Sequence, residues 1–261
     1  MTRIAHLSDP HFGTEDARLI GPLLDFLAQA RPDLVVLSGD LTQRARPAQY
    51  AAAADLIRRC PAPVLAVPGN HDTPLYDLAT RLLAPWRHWA AAIGPTEGEW
   101  ESDAALVVAI NSANPRVWKD GLVTGAQLDR IAARMARAGG RRRIVAMHHP
   151  LEGPPGEPPS LAHARRAAER MAAAGVEMVL SGHLHFTHAA PVPAAPGILS
   201  VQAGTCLSTR TRNDGNAFTL IDLIPAGVIL THVRAQPDGS FRADADRRLT
   251  RHGTVWQGAG P

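Results

Sequence analysis

Five short apolar runs punctuate the first 180 residues: RIAHL (3–7), DLVVL (33–37), PVLAV (63–67), RIVAM (143–147) and EMVL (177–180). They are rich in leucine and β-branched residues and lack polar alternation, the pattern of strands buried on both faces of a parallel sheet. Helical spacing fills the gaps between them. Leu19, Leu23, Leu24 and Leu27 share one face of 17–30, and 47–59 opens at Pro47, a residue suited to the first helical position. Residues 125–138 and 161–174 are amphipathic, the second closing at Gly175 as a C-cap. Strand and helix in alternation predict a right-handed α/β sheet. The pattern then changes. ALVVAIN (105–111), GILSVQA (197–203), AFTLIDLI (217–224) and GVILTHVRA (227–235) lack long helices between them, which predicts antiparallel strands, the last two a hairpin turning at 225–227. PLEGPPGEPPS (150–160) is too proline-rich for regular structure and reads as a loop. No low-complexity linker interrupts the chain, so we expect a single domain over 1–261 with C-terminal strands across 197–247. The likeness of VVLSGD to MVLSGH hints at two related halves facing each other.

Each of the five runs is followed by the same kind of residue. The first leads into SDPH, the second into SGD, the third into PGNHD, the fourth into HHP and the fifth into SGHLH. In an open α/β sheet, ligands bind beyond the carboxyl ends of the strands. Five strands would therefore deliver Asp9, His11, Asp40, Asn70, His71, His148, His149, His183 and His185 to one rim. Any one of these clusters alone reads as an ordinary turn. All five together would bury a crowd of carboxylates and imidazoles, which cations make tolerable. Nitrogen and oxygen donors without a thiolate suit Mn²⁺, Fe or Zn²⁺ better than Ca²⁺ or copper. The donors exceed one ion's needs and suit two, as in hydrolases that displace in line at phosphorus.

Composition narrows the classes. With 261 residues, 45% of them hydrophobic, the chain can bury a sizeable core. No apolar run approaches the roughly 18 residues of a membrane span, and the N-terminus meets Asp9 before a signal-peptide hydrophobic region could form, so a soluble cytoplasmic protein is expected. Cys60 and Cys206, with no CxxC, exclude a disulfide framework and a thiolate zinc site. The net charge of +3 comes from arginine. Lys119, the sole lysine, follows no glycine-rich loop, which excludes a P-loop nucleotidase, and no GxSxG supports a serine hydrolase. No basic stripe with interleaved aromatics suggests nucleic-acid binding. Heavy use of Ala, Pro and Arg is associated with GC-rich bacterial genomes.

The motifs DxH (Asp9, His11), GD (Asp40), GNHD (69–72), HH (His148, His149) and GHxH (182–185), in that order, resemble the calcineurin-like metallophosphoesterases. HLSDPHFG, GDLTQRA, AMHHP, SGHLHFT and AGTCLSTRTRND further resemble the bacterial class III cyclic nucleotide phosphodiesterases. The resemblance implies an α/β fold: a four-layer αββα sandwich of two mixed β-sheets with flanking helices. It implies two divalent ions (Mn²⁺, Fe²⁺/Fe³⁺ or Zn²⁺), with Asp9, His11 and His185 on one, Asn70, His148 and His183 on the other, and Asp40 bridging both. It also implies attack on phosphorus by a hydroxide between the ions. His71 would be the catalytic non-ligand that protonates the leaving group or steadies the phosphoryl oxygen, with Asp72 orienting it. The implied substrate is a small phosphodiester of cyclic-nucleotide type. Glycerophosphodiesters, phosphomonoesters and nucleotide pyrophosphates are the alternatives. A non-catalytic scaffold, as in a retromer subunit of the same family, is the different-class alternative, and the complete ligand set with His71 argues against it. No specific nucleic-acid or membrane partner is expected, and a homodimer stays open. Of the remaining residues, His6 reads as core, His149 as a partner of His148 or as rim, and His188 and His163 as lying off the site. Arg210 and Arg212 read as either a phosphate clamp or structural residues.

Overall fold

The computed structural model describes residues 2–153, 158–211 and 215–258. From the N-terminus, β1 (Thr2–Leu7) leads through a 3-10 turn to α1 (Ile20–Ala30), followed by β2 (Leu34–Leu37), α2 (Pro47–Arg59) and β3 (Val64–Ala66). Two short helices follow, α3 (Leu78–Leu83) and α4 (Arg87–Ala92), and then β4 (Gly98–Glu101), β5 (Ala105–Ala109) and β6 (Gly121–Leu122). The next stretch holds α5 (Gly125–Met135), β7 (Arg142–Ala146), β8 (Leu161–Ala162), α6 (Ala164–Ala173) and β9 (Met178–Ser181). The rest is strand: β10 (His188–Val192), β11 (Ala195–Gln202), β12 (Ala217–Ile224), β13 (Gly227–Ala235), β14 (Phe241–Ala243), β15 (Arg247–His252) and β16 (Val255–Gly258).

These strands form two large mixed sheets. The first runs β16-β15-β13-β12-β1-β2-β3 with β14 beside β13, and the second β10-β11-β9-β7-β5-β4. All five apolar runs are strands, yet the single parallel sheet expected from them is divided: β1, β2 and β3 pair in the first sheet, β7 and β9 in the second. A run of apolar residues reports burial on both faces, which either sheet supplies. Two strands expected to be antiparallel each have one parallel neighbour, β5 with β7 and β11 with β9. The β12–β13 hairpin is antiparallel as its pattern predicts. Leu161–Ala162 pairs with β6 as a short strand, so the expected helix starts later, at Ala164. Strands also continue past residue 247. The buried Trp256 anchors the last of them, its indole N–H donating to Gly197 O and Glu177 O, each at 3.1 Å.

The core has three parts, and they set the layer order. Ile4, Leu34, Val36 and Ile221 of the first sheet meet Val107, Ile144, Leu180 and Val201 of the second. The alternate residues Ala5, Leu7, Val35 and Leu37 face outward onto Leu23 and Leu27 of α1 and Tyr50 and Leu56 of α2. On the other side, Leu106, Val145 and Val179 pack against Ile131 and Met135 of α5 and Met171 of α6. Helices, sheet, sheet, helices is the αββα sandwich. The carboxyl ends of β1 and β2 meet those of β7 and β9, where His148 Nδ1 donates to Ser38 O and the His183 N–H to Asp9 Oδ2. No helix among the described residues is long and apolar enough to cross a membrane.

Candidate metal centre

Two groups of donor atoms converge between the sheets. In the first, Asp9 Oδ1 lies 3.1 Å from His185 Nε2 and 3.5 Å from His11 Nε2, and those two nitrogens are 3.0 Å apart. In the second, Asn70 Oδ1 lies 3.2 Å from His148 Nε2 and 3.1 Å from His183 Nδ1, which are 3.2 Å from each other. Asp40 Oδ2 belongs to both, 3.7 Å from His11 Nε2 and 3.4 Å from His148 Nε2. Ligands about 2.0–2.2 Å from one transition ion stand about 3.0–3.6 Å from each other, which is the spacing of both groups. The structure thus brings together all seven residues expected to hold metal. Asp9 Oδ1, though buried, makes no hydrogen bond, and an acceptor left in that state calls for a cation.

Neighbouring loops aim these atoms. His148 Nδ1 donates to Ser38 O at 2.8 Å and His185 Nδ1 to Arg210 O at 2.9 Å, so each keeps its Nε2 lone pair for the centre. Asn70 Nδ2 donates to Trp118 O at 3.4 Å, turning its oxygen inward. Asp40 Oδ1 accepts the His71 backbone N–H at 2.8 Å, and Asp9 Oδ2 accepts Ser8 Oγ–H and the His183 backbone N–H. Five of the seven residues have left-handed backbones: Asp9 (φ 51), His11 (φ 49), Asp40 (φ 51), His183 (φ 73) and His185 (φ 58). Such conformations are costly outside glycine and gather where function over-determines the chain.

The same charges show in the titration of the site. Burial pushes the Asp9 carboxyl up, but the imidazoles of His11 and His185 beside it outweigh this and hold the group well below the carboxylate range. Asp40 is likewise held down against burial, chiefly by His148. Burial pushes His148 down, yet Asp40 lifts it to about 9. Burial and the charge of His148 push His183 to about 3.

Other histidines take other parts. Ser112 Oγ accepts the backbone N–H groups of both His148 and His149, so its own proton goes to His149 Nδ1 at 2.9 Å, and His149 Nε2–H donates to Lys119 O at 2.9 Å. Both ring nitrogens are then committed. His149 is a strut beside His148 and no ligand, although its ring stands with those of His148 and His183. Burial and those two neighbours push it well below the usual histidine range. His71 Nδ1–H donates to Gln43 O at 2.9 Å, a carbonyl that also accepts Arg44 Nη1. Its Nε2 is left on the cavity side, 3.4 Å from Arg210 Nη1. Burial lowers the pKa of His71, with Asp40 pulling the other way.

Asp72 does not orient His71 as expected. Its carboxylate accepts the backbone N–H groups of Leu41, Thr42 and Gly69, fastening the loop after β2 to the loop after β3. Burial and nearby Asp40 push it up to about 6. His6 is a core residue bonded to Ser38 Oγ at 2.9 Å, while His188 and His163 are exposed. Arg212 lies outside the described residues. The cavity over the centre, about 440 Å³, is lined by Asp40, Asn70, His71, His183 and His185 with Lys119, Arg210 and Thr211. Arg210 was expected as either clamp or strut, and it is at the site. Lys119 carried no sequence signal beyond being the sole lysine.

A mixed two-sheet sandwich with paired carboxylate, amide and imidazole donors at its strand ends defines the class: a metal-dependent phosphoester hydrolase. The family profile of calcineurin-like phosphoesterases matches residues 2–186, and the chain belongs to that family. A cAMP/cGMP dual specificity phosphodiesterase of Mycobacterium tuberculosis is 27% identical over 259 residues, covering 87% of this chain and 77% of that protein. The glycerophosphodiester phosphodiesterase GpdQ of Enterobacter lignolyticus is 30% identical over 161 residues, covering 56% of each chain. Among solved structures, a dimetal phosphatase from Danio rerio shares the fold with a TM-score of 0.67 at 14% identity, covering 93% of this chain and 98% of that one.

Proposed function

We propose that the protein is a two-metal phosphodiesterase acting on a small diester of cyclic-nucleotide type. Asp9, His11 and His185 would hold one ion and Asn70, His148 and His183 the other, with Asp40 common to both. When bound, two such ions polarise the phosphoryl oxygens and acidify the attacking water. The observation that carries this reading is the shared position of Asp40 Oδ2, within 3.7 Å of a donor from each set. A carboxylate can serve two cations at once, whereas an imidazole nitrogen cannot. The N/O donor set favours Mn²⁺, Fe or Zn²⁺.

Around that pair the chain supplies its own chemistry. His71 Nδ1 is fixed as a donor to Gln43 O, so Nε2 is the atom that exchanges a proton with the leaving oxygen. Lys119 and Arg210 add positive charge to the cavity walls, suited to an anionic substrate. A diester of cyclic-nucleotide type is favoured because the relative that covers 87% of this chain bears that activity in its name, while the glycerophosphodiesterase matches over 56%. The same reading makes it a bacterial cytoplasmic enzyme, in keeping with the free thiols Cys60 and Cys206.

Protein reconstituted with Mn²⁺ is expected to bind two equivalents per chain and to hydrolyse bis(p-nitrophenyl) phosphate, with chelation abolishing the activity. Asp40→Ala should lose both ions and be the most damaging single change, and activity near the parent's would sink the two-metal reading. A panel of cyclic AMP, cyclic GMP, 2′,3′-cyclic nucleotides and glycerophosphodiesters then decides the substrate. A glycerophosphodiester turned over best would overturn the cyclic-nucleotide assignment.

A further inference from the structure

Among the described residues, seven large apolar side chains are exposed, and six of them come from two segments: Tyr76, Leu78, Leu82 and Leu83 from one, Val117 and Trp118 from the other. The two are tied together by Arg81, itself 5% exposed. Its guanidinium donates to Thr73 Oγ1 at 2.8 Å, Pro74 O at 3.3 Å, Pro115 O at 2.7 Å and Val117 O at 2.6 Å. The carbonyls of Trp118 and Lys119 are taken by Asn70 Nδ2 and His149 Nε2. Four carbonyls of the 115–119 loop are therefore held by side chains, two by Arg81 and two by Asn70 and His149 at the metal centre, and the loop is tied to the edge of that centre.

What this loop presents is unusual for a soluble surface. Lys119 lines the cavity, and Trp118, one residue earlier, is 67% exposed. Arg81 Cζ stands 5.2 Å from the indole centroid, backing the ring and leaving surface open to solvent. A tryptophan left uncovered on a tied-down loop forgoes its hydrophobic stabilisation. Among the described residues, the cavity lining offers charged and polar side chains and no aromatic ring besides its histidines. A substrate whose phosphate reaches the metal centre sends its remaining part outward, and the loop that carries Lys119 and Trp118 is one wall it can meet there.

We infer that Trp118 is the stacking surface for the planar base of the substrate and selects nucleoside phosphodiesters over diesters with alkyl substituents. This rests on the phosphodiesterase reading above. Stacking is indifferent to which base lies on the ring, because every base has a π-face, so adenine and guanine should be accepted about equally.

The test compares wild type, Trp118→Ala and Trp118→Phe, each loaded with Mn²⁺, on cyclic AMP and on glycerophosphoethanolamine. Trp118→Ala should raise KM for cyclic AMP on the order of tenfold, the usual worth of one stacked base, with kcat little changed. Trp118→Phe should restore most of the loss, and glycerophosphoethanolamine should respond to neither change. Equal losses on both diesters would overturn the inference by making Trp118 a strut of the Asn70 loop. Equal losses with a shift from dimer to monomer in sedimentation would overturn it in favour of a second copy covering the patch. Loss on neither diester would overturn it too. Should wild type hydrolyse neither these diesters nor bis(p-nitrophenyl) phosphate, the phosphodiesterase reading fails on its own, and calorimetric binding of AMP against ribose 5-phosphate still decides for Trp118. Weaker AMP binding by Trp118→Ala, with ribose 5-phosphate unchanged, supports the base-stacking role, and equal binding of AMP by both proteins overturns it.

Discussion

A carbonyl placed against one ring nitrogen decides what a histidine can do with the other. Ser38 O and Arg210 O take the Nδ1–H of His148 and His185, freeing Nε2 toward the centre. His149, next in sequence to His148, has both nitrogens engaged by Ser112 and Lys119 and so is withdrawn from metal chemistry. His71 is held by Gln43 O with Nε2 toward the cavity. If that nitrogen delivers a proton, His71→Ala should keep both metals, read by metal analysis, while losing a factor on the order of 10²–10⁴ in rate on ribose or alkyl leaving groups. The loss should shrink for p-nitrophenolate, which needs little protonation. An equal loss on both leaving groups would assign His71 to electrostatic support of the phosphoryl oxygens.

The elements that carry these residues end in turns that few side chains tolerate. Gly182 enters the turn after β9 where a Cβ would fall inside the shells of Ser8 Oγ and Asp9 Oδ2, and Gly69 does the same against Asp40 Oδ1. The glycine of one motif is thus a clearance for the ligand of another. Gly182→Ala should push Asp9 off its place and lower metal affinity about 10–100-fold, the range seen when groups supporting a ligand are disturbed. Far-UV circular dichroism should stay unchanged. Gly125→Ala, at a helix start with nothing within 4 Å of the added carbon, is the control and should bind metal as wild type does. Unchanged affinity in Gly182→Ala would show that Asp9 has slack the structure does not display.

Across the molecule, the centre joins the two sheets. The loops of the first sheet bring Asp9, His11, Asp40 and Asn70, and those of the second bring His148, His183 and His185. Ions bound there would cross-link the halves and offset the left-handed backbones on both sides. Metal at 100 times its Kd should stabilise the fold by about 2.7 kcal/mol per site. For a chain of this size that raises Tm by about 5–10 °C per site. Scanning calorimetry with and without chelator measures the shift, and Asp40→Ala should lose most of it. A melting temperature indifferent to metal would argue against a clamp between the sheets.

Residue types at strand ends are local, and so the chemistry was legible early. DxH, GD, GNHD, HH and GHxH each follow an apolar run, and all seven expected donors do converge. Strand and helix positions were legible for the same reason, since periodicity is a property of one segment. Which strands pair was not, because an apolar run records burial on two faces without naming the neighbour. That is why β1, β2 and β3 part company with β7 and β9. The difference between His148 and His149, the backbone role of Asp72, and the arrival of Lys119 and Trp118 at the cavity have the same origin. Each depends on at least one carbonyl, amide or loop that a side chain meets from more than 25 residues away, and only the packed sandwich makes those meetings. The sequence determined the kind of chemistry, through donors whose type is written locally. Tertiary structure decided which atom of each donor is free to perform it, because long-range hydrogen bonds orient the rings and carboxylates.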